Sequence, residues 1–194
     1  MLAAHMGSAT TVTFGFTSPA GDVGSNTHTY TSTPSGYSIT AYGYRNYLPV
    51  DLYGKTSGGD ESGLGLVGTS DHEIGPNAAI VFNISQLQSF NSLALEIGSV
   101  QSGESYEVLG SNSISGIYTP LVTNGSKFDD VFTTIPGALN YHYIAIMAPT
   151  GDVLLNGLSA STLTTTQAPE PATFGLIAIA LVGLSLISRR AQKR

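Results

Sequence analysis

Between residues 10 and 163 no stretch keeps the 3.6-residue apolar period of a helix. Short runs rich in Val, Ile, Thr, Tyr and Phe recur instead, cut every few residues by Gly, Pro, Ser, Asn or Asp. Such a segment can bury its apolar side chains only by pairing extended strands and covering one sheet with another. Strands are predicted over 10–17, 37–44, 50–53, 79–85, 92–97, 105–109, 119–123, 131–135, 141–148 and 152–160. Period-two alternation sets their faces: Leu93, Leu95 and Ile97 share one side, while Tyr141, Tyr143, Ala145 and Met147 oppose His142, Ile144 and Ile146. The fold class expected for 10–163 is all-β, a jelly-roll-like antiparallel sandwich.

Charged residues make up 10% of the chain, against roughly 25% in an ordinary soluble domain. With no Cys there is no disulfide scaffold, thiolate metal site or thiol nucleophile. Four of the seven cations, Arg189, Arg190, Lys193 and Arg194, stand in the last six residues. Residues 1–171 therefore hold three cations (Arg45, Lys55, Lys127) against 13 acids, a net charge of −10. A body so acidic lacks the clustered cations that phosphate contacts demand, so nucleic acid is not an expected partner.

Residues 172–188 carry no charge, and as a helix they would extend about 25 Å, the short end of a membrane span. The basic residues 189–194 behind them form a positive-inside stop, which predicts a single C-terminal transmembrane helix with a cytoplasmic tail. Ahead of it, 164–171 reads as a linker ending in Pro169, Glu170 and Pro171, a triplet that stays extended and accessible.

The order Pro-Glu-Pro, short apolar span, Arg-Arg resembles the PEP-CTERM sorting signal of Gram-negative bacteria over about the last 26 residues. That resemblance implies export and recognition of the triplet by an exosortase. It implies a precursor anchored in the inner membrane and a mature body at the cell surface or in an extracellular matrix that contains exopolysaccharide. The segments SYEVLGSNSISGIYTPL and YHYIAIMAPTGDVLLNGLSA are similar, at pattern level, to the later strands of galactose-binding-like and discoidin-like sandwiches. At the other end Gly7-Ser8-Ala9 has the small residues that precede a signal-peptidase cut, so 1–9 is expected to be the remnant of a signal peptide. The string His5-Met6-Gly7-Ser8 has an alternative origin as an expression-vector remnant.

Two groups in the body invite a functional reading. The segment GGDESGLGLVGTSDHEIG gathers Asp60, Glu61, Asp71, His72 and Glu73 around glycines. Loop carboxylates are ligands that Ca²⁺ prefers, so Asp60, Glu61, Asp71 and Glu73 form a possible calcium set, with a purely structural loop as the plainer reading. The spacing is not that of an EF-hand. Tyr37, Tyr42, Tyr44, Tyr47 and Tyr53 fall within 17 residues. Tyr42 and Tyr44 share a strand face and could stack on sugar rings, or could simply pack a sheet. Neither a GxSxG elbow, an HExxH run nor a well-spaced pair of carboxylates stands out, and Glu104 and Glu107 are expected to point to opposite faces. The expected function is non-catalytic: an exported surface or matrix protein with a structural or adhesive body. The alternative is a carbohydrate-binding module that retains exopolysaccharide.

Overall fold

The computed structural model describes residues 10–57, 61–69, 71–125 and 130–162. The segments 1–9 and 164–194, and with them the expected signal-peptide remnant, linker, transmembrane helix and basic tail, lie outside the described residues. Fourteen strands run in order: β1 Thr11–Gly15, β2 Gly21–Asp22, β3 Thr27–Thr31, β4 Ser38–Arg45, β5 Leu48–Pro49, β6 Leu52–Thr56, β7 Ser62–Leu66, β8 Ala78–Asn83, β9 Ser92–Gly98, β10 Ser105–Ser111, β11 Thr119–Gly125, β12 Thr133–Thr134, β13 Tyr143–Thr150 and β14 Leu154–Ser161.

They form two seven-stranded antiparallel sheets. The first has the order β12-β9-β14-β7-β6-β2, with β1 added beside β14. The second has the order β11-β10-β13-β8-β4-β3, with β5 beside β4. From β8 onward the chain crosses repeatedly between the sheets, since β8, β10, β11 and β13 belong to the second and β9, β12 and β14 to the first. The expected all-β architecture of two antiparallel sheets is the one observed.

Alternation explains the packing. Leu93, Leu95 and Ile97 of β9 and Ile144, Ile146 and Ala148 of β13 all point into one apolar cluster shared by the two sheets. Phe16 anchors its middle, stacked on Phe82 at 5.0 Å between ring centres and edge-on to Tyr30 at 4.9 Å. Gly43 of β4 lies against Val50 and Leu66. A β-carbon there would sit 2.3 Å from the Val50 carbonyl oxygen and 2.8 Å from Leu66 Cδ2, so no larger residue fits.

The sequence reading needs four additions: β2, β3, β5 and β7. The segment around Gly63 and Gly65, read as loop, is strand β7 inside the first sheet, because neighbouring backbones close in where side chains would stand. Conversely, the strand expected over 131–135 is reduced to Thr133–Thr134.

Candidate functional site

Along β6 the side chains alternate. Leu52 turns into the core, and Tyr53 and Lys55 turn to the outer face of the first sheet. Beside them β7 presents Gly63 and Gly65. A β-carbon on Gly65 would lie 1.8 Å from the carbonyl oxygen of His72 and 3.1 Å from Glu73 Cα, so the backbone of the following loop lies flat on this strand. The seat is fixed by Leu66 N–H donating to the His72 carbonyl at 3.2 Å and by paired backbone bonds between Ile74 and Val153 at 2.9 and 3.2 Å.

This seating drives Glu73 under the loop, where it is only 3% exposed. There Lys55, itself 8% exposed, donates to Glu73 Oε1 at 2.5 Å and also to Glu61 Oε2. The Ser99 hydroxyl stands 3.3 Å from Glu73 Oε1 and 3.5 Å from Glu61 Oε1. Burial opposes the charge on Lys55, but its bonds to the two glutamates outweigh it and hold the ammonium above the ordinary lysine range. The same bond holds Glu61 below the carboxylate range, whereas burial pushes Glu73 up in spite of its partner. The pair is therefore asymmetric: the half-exposed glutamate is firmly ionised and the buried one resists ionisation.

A second carboxylate group adjoins this one. Burial, then the hydrogen bond and charge of Asp71, the charge of Glu73 and a hydrogen bond with Glu104 push Asp152 up to about 7. Glu104 also accepts from the Gln101 N–H at 2.6 Å and from the Asp152 N–H at 3.4 Å, which holds its carboxylate between the turn before β10 and the turn before β14. Gly151, at φ +70°, leaves the space that the Glu104 side chain fills. Over the ion pair opens a cavity of about 640 Å³, lined by Tyr53, Lys55, Thr56, Glu61, Asp71 and His72. The rings of Tyr53 and His72 lie parallel, 3.8 Å apart between centres and 11° from coplanar.

Of the expected calcium set, Asp60 lies outside the described residues. Glu61 and Glu73 do come together, but around the Lys55 ammonium, which occupies the place a cation would take. Asp71 joins Asp152 instead. Among the described residues no three His, Asp or Glu side chains are arranged to hold a metal ion. Glu104 is not on the strand with Glu107: it accepts within the turn before β10, and Glu107 lies within β10 itself. Lys55 belongs to no motif. Its sequence signal is its isolation, one of three cations in the first 171 residues, alternating with Tyr53 on a strand.

Tyr42 and Tyr44 lie on the outer face of the second sheet. Their cross-strand rows run Tyr42, Val81, Ala145 and Tyr44, Ala79, Met147. Tyr143 stands on the same face, opposite Asn83 and, beyond it, Thr40. Tyr118 reaches the same area: its hydroxyl donates to the Ile114 carbonyl at 3.0 Å, and burial, with contributions from Tyr44 and Tyr143, holds its phenol above the ordinary tyrosine range. Four tyrosines thus gather where the sequence pattern singled out two.

In the sequence the all-β body is followed by the Pro-Glu-Pro, apolar and Arg-rich order, the arrangement of a sorting signal. Residues 167–191 match the family model described as the PEP-CTERM protein-sorting motif. The chain therefore carries the signal of an exosortase-sorted exported protein, anchored in the membrane before processing. No curated protein and no solved structure matches the chain.

Proposed function

We propose that this protein is exported, released from its membrane anchor by an exosortase and used at the cell surface or in the extracellular matrix of a Gram-negative bacterium, with a structural or adhesive body that performs no catalysis. The sorting motif carries this reading. The engagement of Glu61 and Glu73 by Lys55 supports the non-catalytic part, since carboxylates tied up in an ion pair are poor general acids and bases. The test is intact-mass analysis of the protein recovered from cells and medium of its native host, with and without the exosortase gene. A product that ends near residues 168–171 only when the gene is present is the expected result. Replacing Pro169, Glu170 and Pro171 by alanine should leave a full-length chain in the membrane. An uncut membrane-bound chain in both strains would overturn the reading.

A second reading, retention of exopolysaccharide, is favoured by the tyrosine-rich outer face of the second sheet around Tyr42 and Tyr44. Tyrosine offers an apolar ring face with a hydroxyl at its tip, which suits a sugar's C–H face and its hydroxyls.

A further inference from the structure

The cavity over Lys55 is on the opposite sheet from the tyrosine face, and its chemistry is different. We propose that it binds a single sugar ring, an inference that rests on the carbohydrate reading but gives it a distinct, concave site.

Three observations carry the assignment. The volume of about 640 Å³ falls inside the range of about 300–1,000 Å³ usual for small-ligand sites. Tyr53 and His72 both line it and brace one another ring on ring, so this wall is rigid and offers aromatic surface to the C–H groups of a pyranose. The remaining lining alternates acceptors (Glu61 and Asp71) with donors (Lys55, and the hydroxyls of Thr56 and Ser57). A hydroxyl-rich ring can donate to the first and accept from the second with neighbouring groups.

Other ligand classes match less well. An apolar ligand would strip water from Lys55, Glu61 and Asp71 without replacing its hydrogen bonds, at a steep desolvation cost. A phosphate or carboxylate would meet two carboxylates and one ammonium that is already paired twice.

The experiment is titration calorimetry of the full-length chain in detergent with hexasaccharides of glucose, galactose, mannose and glucosamine. The chain is compared with Tyr53→Ala, Asp71→Asn and the double variant Tyr42→Ala/Tyr44→Ala. Melting curves are recorded for each, and Asp71→Asn, nearly isosteric, guards against loss of fold in Tyr53→Ala. At least one sugar should bind, about tenfold more weakly in Tyr53→Ala and in Asp71→Asn, the loss expected for one ring contact or one charged hydrogen bond. In the tyrosine double variant the binding that Tyr53→Ala and Asp71→Asn weaken should remain, whatever the outer face of the second sheet adds to it. Binding that survives both cavity variants and disappears in Tyr42→Ala/Tyr44→Ala would overturn the cavity site and leave the carbohydrate reading standing. Absence of binding to all four sugars would overturn both.

Discussion

The seating of the loop on Gly65 predicts the outcome of one substitution in detail. In Gly65→Ala the new methyl would stand 1.8 Å from the His72 oxygen, and real β-carbons essentially never come within 3.0 Å of such an atom, so the loop must rise by more than 1 Å. Overpacking of that kind costs about 1–3 kcal/mol. Lifting His72 also breaks the bond from Leu66 N–H, a further loss of about 1 kcal/mol. Against this, alanine restricts the unfolded chain and returns about 0.4–1 kcal/mol. The net destabilisation is about 1–3.6 kcal/mol, which in a body of this size lowers the melting temperature by roughly 2–14 °C. Urea unfolding, followed by circular dichroism and by tyrosine fluorescence in a chain without Trp, measures it. Gly15→Ala is the control, since a β-carbon there has no atom within 4 Å, and it should be neutral or slightly stabilising. A Gly65→Ala protein within about 0.5 kcal/mol of the parent, the scatter of ordinary surface changes, would refute the seating argument.

Further expectations concern the charges under the same loop. Lys55→Met strands Glu73 at 3% exposure and should cost about 3–5 kcal/mol, almost all through Glu73, because Glu61 is open to water; the double change Lys55→Met/Glu73→Leu should recover most of it in a mutant cycle. Asp152 keeps its proton up to about pH 7 in the folded chain, facing Asp71, Glu73 and Glu104, but loses it near 3.8 when unfolded. The folded state thus binds the extra proton between those values. The contribution of Asp152 is complete below about pH 4 and lost as pH rises through about 7. Denaturation curves across that interval should show the fall in the parent and a shallower one in Asp152→Asn; equal slopes would dismiss the shared-proton picture.

Much of this architecture was legible because alternation is a direct record of sidedness. Leu93, Leu95 and Ile97 fell on the buried face as the pattern required, and so did Ile144 and Ile146. Strand β7 was hidden for a physical reason: Gly63 and Gly65 read as turn chemistry, yet they serve close approach to β14 and to the His72 carbonyl, and approach leaves no trace in a local pattern. The acidic segment was likewise visible as a concentration of carboxylates, but what they would face was not. Lys55, the β9–β10 connection with Ser99 and Glu104, and Asp152 come from three separate parts of the chain, and only the fold places them beside Glu61, Asp71 and Glu73. Tyr143 and Tyr118 joined Tyr42 and Tyr44 by the same route, through cross-strand register and a loop laid over the sheet.

Strand β14 has a mechanical consequence. It is bonded to β9 along one side and to β7 and β1 along the other, and the sorting segment continues from its C-terminal end. A pull entering the body from that end runs along the axis of an interior strand. The load is then shared by the rungs on both flanks, which must shear together instead of parting one at a time as at a sheet's rim. While the precursor is still anchored, tension on the body is resisted by the rate of forced unfolding, and the rungs on both flanks of β14 oppose it together.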